Sequence, residues 1–166
     1  MEYVKVFRAD ERDAPVIVDP EPYLVELPRL AERLPSGARA FVTEPGHYDF
    51  GSLRCVKDLQ FAELVTKEAG RAQVEILLTL RGSKWKHSDD LVLRYVDVVQ
   101  IRAEVTPLSK YARVWPASRR FGDLQLDEIL PTDVGCSHEL KLTGGVIFVE
   151  SADLIAEWHA FDPAER

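Results

Sequence analysis

Cysteine, methionine and long apolar runs are the scarcest features of this 166-residue chain, which has two cysteines and one methionine. Two thiols cannot build the multi-bridge framework of a small secreted scaffold. Cys55 and Cys136 are therefore expected as reduced thiols in a cytoplasmic protein. The opening segment carries Glu2, Lys5, Arg8, Asp10, Glu11, Arg12 and Asp13, so it has no apolar core of the kind a signal peptide needs. Nowhere does an apolar run reach bilayer-spanning length, so no membrane partner is expected. Positive charge is also short, with 21 Lys and Arg against 28 Asp and Glu for a net charge of -7. That balance argues against the broad basic surface of a non-specific nucleic-acid binder.

Signatures of chemistry are missing too. Gly46, Gly51, Gly82, Gly144 and Gly145 lack the spacing and the Lys-Ser/Thr context of a phosphate-cradling loop, and there is no nucleophile elbow. His47, His87, His159 and Cys55 have no recognised ligand spacing, so neither a metal nor another cofactor is expected. Cys136-Ser137-His138 sets a nucleophile and a base close in sequence, and on a strand Cys136 and His138 would share a face. Catalytic Cys/His pairs are usually assembled from distant segments, however, and a partly buried thiol beside a strand-edge imidazole explains the triplet. Asp89 and Asp90 beside His87 could hold a divalent cation, but a solvated turn accounts for the same residues. No catalytic residue is assigned.

What the chain does have is self-similarity. Asp58-Leu59-Gln60-Phe61-Ala62-Glu63-Leu64-Val65 returns as Asp123-Leu124-Gln125-Leu126-Asp127-Glu128-Ile129-Leu130. Glu75-Ile76-Leu77-Leu78-Thr79 is then answered by Glu139-Leu140-Lys141-Leu142-Thr143, and Tyr95-Val96-Asp97-Val98 by Ser151-Ala152-Asp153-Leu154. The pattern implies a duplicated β-unit. Val74, Ile76, Leu78 and Leu80 alternate with Glu75, Leu77, Thr79 and Arg81, and Leu91, Leu93 and Tyr95 continue the theme, as antiparallel strands with one buried face do. Alternation breaks at Glu63 and again at Glu128, where a β-bulge would re-aim each strand. Glu68-Ala69-Gly70 and Gly144-Gly145 suit tight returns.

The expected fold is mainly β within the α+β class, with two antiparallel units forming a sandwich or a curled sheet and a small helical N-terminal region packed on it. A single domain spans 1–166. It divides into an N-terminal region (1–52), a first β-unit (53–105), a connection (106–120) and a second β-unit (121–162). In the N-terminal region Tyr3 to Phe7 reads as a strand and Val16 to Val18 as a short apolar run. Asp19-Pro20-Glu21 signals a helix start. Helical spacing runs through Tyr23, Leu27, Leu30, Ala31 and Leu34, with a kink or break at Pro28, and Ala38 to Thr43 reads as a further strand.

Two segments break the symmetry of the repeat and supply the candidate binding residues. The first unit contains an insertion, residues 82–90, where the second has only Gly144-Gly145. In that insertion Trp85 stands among polar residues with Lys84, Lys86 and His87 as neighbours. An aromatic with flanking cations suits a recognition patch, the alternative being a Trp85 folded back to seal the end of the sheet. The connection gathers Lys110, Tyr111, Arg113, Trp115, Arg119 and Arg120, a basic and aromatic concentration in an acidic chain. The plainer account is a crossover whose arginines pair with nearby acids while Trp115 packs inward.

The strand Leu91 to Val98 and the unit from Gly122 to Leu154 resemble small bacterial β-rich proteins grouped with the immunity proteins of polymorphic toxin systems. Lys57-Asp58 stands where such proteins carry His-Asp, and the likeness covers Leu53 to Leu154. It implies a non-enzymatic protein that binds and blocks a protein partner. The expected contacts are then Trp85, Lys86, His87, Tyr111, Arg113, Trp115, Arg119 and Arg120. The alternative is a small-ligand or metal-binding β-sandwich with a cleft built from His87, Asp89, Asp90, Cys136 and His138. Edge strands left by duplicated units also make homo-oligomers an expected outcome.

Overall fold

The computed structural model describes residues 1–8, 16–105 and 120–160. It is mainly β, as expected. A short hairpin-like pair, β1 (Lys5–Arg8) and β2 (Val16–Asp19), precedes helices α1 (Glu21–Ala31) and α2 (Ser36–Val42). Two three-stranded meanders follow: β3 (Gln60–Ala69), β4 (Gln73–Arg81) and β5 (Asp89–Val105), then β6 (Leu124–Pro131), β7 (Cys136–Leu142) and β8 (Gly145–Ala160).

The meanders join edge to edge through β5 and β8 into one antiparallel sheet of order β3-β4-β5-β8-β7-β6. This is the curled-sheet arrangement of the two foreseen, because the outermost strands β3 and β6 meet at their first residues. Gln60 bridges Asp123, and the Phe61 N–H donates to Gly122 O at 3.0 Å. Cross-strand pairs on the buried face follow the alternation in the sequence, with Ile76 opposite Tyr95, Leu78 opposite Leu93 and Leu80 opposite Leu91, all fully buried.

The irregularities have local causes. A register shift between Phe61 and Glu63 places the first bulge where the broken alternation put it. The second lies between Leu124 and Leu126 rather than near Glu128. Glu128 needs no bulge because its carboxylate is used on the outward face, accepting backbone N–H groups from Glu2, Tyr3 and Val4 at 2.6–2.7 Å.

In the helical region, Asp19 Oδ1 accepts the Glu21 N–H at 2.9 Å, and α1 runs through Pro28 to Ala31, burying Tyr23, Leu27, Leu30 and Ala31. The strand expected at Ala38 to Thr43 is instead part of α2. Ala38, Phe41 and Val42 point inward at helical spacing, and the N-terminal donors of the helix find a distant acceptor. Asp153 on β8 accepts the N–H groups of Gly37 at 3.0 Å and Ala38 at 2.9 Å. Residue 37 must be glycine, since a Cβ there would stand 2.1 Å from the Leu154 carbonyl oxygen. The N-terminal region thus takes over the edge of β8 beyond Ser151, where β7 stops pairing.

Candidate functional site

The loop between β4 and β5 is the most exposed aromatic feature of the described residues. Trp85 is 88% exposed, so it does not seal the sheet. Its neighbours are held. The Gly82 N–H donates to Asp90 Oδ1 at 2.8 Å, and a Cβ at Gly82 would lie 2.4 Å from Asp89 O, which restricts this entry to glycine. Ser83 O accepts the N–H groups of Lys86 and His87 in a tight turn. Lys86 Nζ donates to Lys57 O at 3.1 Å and lies 3.5 Å from Asp58.

His87 is the loop's anchor rather than part of its exposed surface, being only 5% exposed. Its Nδ1 accepts the Ser83 N–H at 3.0 Å, so its Nε2 carries the hydrogen donated to Cys55 O at 2.8 Å. Both bonds require the neutral ring, and burial lowers its pKa from the ordinary value. Trp85 is left projecting from a fixed turn, with Lys84 Nζ 5.5 Å from its ring centre. Of the second candidate group, Arg120 is exposed, whereas Tyr111, Arg113, Trp115 and Arg119 lie outside the described residues.

The residues of the alternative cleft are engaged separately. His87 binds Cys55 O, whereas His138 binds Asp127 and Tyr95. Cys136 is buried and its thiol is pushed up to about 11 by burial, which leaves it a poor nucleophile. Cys55 is likewise buried and free. Among the described residues no group of three or more His, Cys, Asp and Glu is placed to hold a metal ion, and no helix is long and apolar enough to cross a membrane.

Sequence reasoning missed a polar assembly in the core. His47, Asp127 and His138 are each 1% exposed and Tyr95 is fully buried. His47 Nε2 lies 2.9 Å from Asp127 Oδ1 and His138 Nε2 2.9 Å from Asp127 Oδ2, while the Tyr95 hydroxyl meets His138 Nδ1 at 2.8 Å. At the other end His47 Nδ1 lies 3.1 Å from Phe41 O, a pure acceptor, so that nitrogen carries a hydrogen. The His47–Asp127 pair then shares one further proton. Burial by itself would raise the Asp127 carboxyl, but the neighbouring His47 charge and the hydrogen bonds from both histidines outweigh it and hold the group well below the usual carboxylate range.

Adjacent residues on β6 point oppositely, Asp127 inward to the histidines and Glu128 outward to the N-terminal segment. An acid at Asp127, between the apolar Leu126 and Ile129 and two places before the latter on the same inward row, was the only sequence signal for the network. Every polar end in it is satisfied and sealed from solvent, so it is built to fix the fold.

A groove of about 450 Å³ lies between α1 and residues 42–49, with Leu24, Leu27, Pro28, Val42 and Tyr48 as apolar walls and Glu44 and Asp49 as acidic ones. No family model, curated protein or solved structure matches this chain, so the surface itself carries the functional argument.

Proposed function

We propose that the chain is a non-enzymatic bacterial protein-binding module of the immunity type, acting in the cytoplasm by covering a surface or active site of its partner. The observation that carries this reading is Trp85, 88% exposed at the tip of a turn in which the Lys86 and His87 side chains are tied down. A pre-positioned indole supplies contact area without the entropy cost of ordering a loop at the moment of binding. Lys84 beside it favours a partner with an acidic rim. Residues Tyr111, Arg113, Trp115, Arg119 and Arg120 are its second proposed contact element.

The test is capture from the native host lysate on wild-type protein and on Trp85→Ala, followed by titration of the purified partner against both. Retention by wild type and loss of affinity by the variant, with unchanged thermal stability, is the expected result. Equal retention by both would remove Trp85 from the interface and this reading with it.

The small-ligand alternative has one observation in its favour, the apolar groove against α1. It predicts that a small apolar molecule raises the melting temperature of wild type and leaves that of Leu27→Trp, which fills the groove, unchanged.

A further inference from the structure

Strand β5 outruns its partner on one side. β4 pairs with it only from Leu91 to Tyr95, whereas β8 accompanies it from Asp89 to Val105. Among the described residues no strand occupies the other edge of β5 beyond Tyr95. The separation has a local cause. Asp97 adopts φ 53 and the register with β8 shifts between Val98 and Gln100, which bends β5 away from the line of β4. Past that bend the strand keeps β geometry, with one row of main-chain donors and acceptors facing outward.

The side chains there are unusual for a bare edge. Residues 99–105 are all exposed, and Ile101 and Val105 remain 40% and 42% exposed although Val149 and Ile147 on the neighbouring strand are wholly buried. Among the described residues the apolar face of the sheet therefore reaches its own edge uncovered. On the opposite face Arg102 and Glu104 sit two residues apart, 3.4 Å from each other.

We infer that this edge pairs with the same edge of a second copy, antiparallel and centred on Ala103. In that register Ile101 of each copy stands opposite Val105 of the other, and Arg102 opposite Glu104, so the apolar pair and the charged pair each form twice. Neighbouring registers are worse. A slide of one residue sets Ile101 against Glu104 or Arg102 against Val105, mixing the two faces. A slide of two sets Arg102 against Arg102 or Glu104 against Glu104. The alternation of residues 101–105 thus selects one self-pairing. Five paired residues span only about 17 Å, short of a standard interface, so the dimer is weak and forms at high protein concentration.

The experiment is sedimentation velocity on the full chain across a concentration series, with wild type, Arg102→Glu, Glu104→Arg and the double exchange. These sites are exposed, and circular dichroism checks that each variant keeps its fold. Wild type is expected to shift towards dimer as concentration rises. Each single reversal should weaken the dimer about tenfold by creating like-charge pairs, and the double exchange should restore it. Ala103→Cys should also give a disulfide-linked dimer under mild oxidation, because the two copies of that residue face each other. A chain that stays monomeric at every concentration, as when another element covers the edge, would overturn the proposal. So would a dimer that ignores both single reversals.

Discussion

Leu59 and Leu124 are hydrogen-bonded to each other where the curled sheet closes, the Leu124 N–H donating to Leu59 O at 2.7 Å. Both side chains are buried, and they occupy matching positions in the two similar sequence blocks. The second joint is related in the same way, for Tyr95 pairs with Leu154 and Val98 with Ser151. Exchanging the blocks, Tyr95 for Ser151 and Val98 for Leu154, turns one of those pairs into the other. The duplication itself is an inference from sequence.

Leu59→Ala and Leu124→Ala should each destabilise the fold by about 2–5 kcal/mol, the cost of truncating a buried leucine at a site with little room to collapse. Because the two residues touch, the double substitution should depart from additivity. Urea unfolding of the four proteins measures both effects, and a loss under about 1 kcal/mol at either site would contradict its place in the core.

His87 makes the β4–β5 loop sensitive to pH. Its folded-state pKa is lowered by burial, so the unfolded chain binds the proton more readily, and stability falls as pH drops below the ordinary value of 6.5. The local effect has the same sign, because a proton on Nδ1 would face the Ser83 N–H that it now accepts. Protection of the Ser83 amide, measured against its intrinsic exchange rate at the same pH, should be high at pH 7.5 and fall once the pH drops through the lowered folded-state value of His87. In His87→Ala it should be low throughout, and a wild-type Ser83 amide no better protected than the variant's at pH 7.5 would refute the locked neutral ring.

The core network predicts an acid-side loss with a different origin. The Asp127 carboxyl is depressed in the folded state, so its contribution is fully present above the unfolded value near 3.8 and is lost as pH falls from there towards the folded value. Asp127→Asn removes the charge that faces His47 and should cost about 3–5 kcal/mol at neutral pH, as expected for breaking a buried pair. It should also flatten the acid limb of the stability curve. Chemical denaturation from pH 7 down to pH 2 would check both, and a variant with the wild-type limb below pH 4 would place the titration elsewhere.

How much of this was legible in the sequence depends on the range of the interaction that decided it. The alternation of Ile76, Leu78 and Leu80 against Leu91, Leu93 and Tyr95 is local and specified both strands and their shared face. The bulge before Glu63 was visible as broken alternation. By contrast, residues 38–42 are few enough to suit either strand or helix, and the choice was made by Asp153, 115 residues away from Ala38. The His47–Asp127 contact joins positions 80 apart, with no spacing rule to announce it. Trp85 was recognisable as a tryptophan among polar residues, but its exposure followed from the way His87 turns inward and ties the loop to Cys55.

Glu128 shows the same long-range logic on the outer face of β6 and allows a test separate from the core. Its two carboxylate oxygens accept three successive backbone N–H groups, Oε1 from Glu2 and Oε2 from Tyr3 and Val4. Those donors belong to the segment leading into β1, so this one side chain pins the N-terminal segment to the sheet. Glu128→Ala strands all three, and at about 1 kcal/mol or more for each donor left without a partner the loss should reach about 3 kcal/mol. Glu128→Gln keeps one acceptor oxygen and should lose roughly half as much. The effect should also be confined in space. Exchange at Tyr3 and Val4 should rise in both variants while that at Leu78 and Leu93 follows only global unfolding, and unchanged protection at Tyr3 and Val4 would show that the segment is held by packing alone.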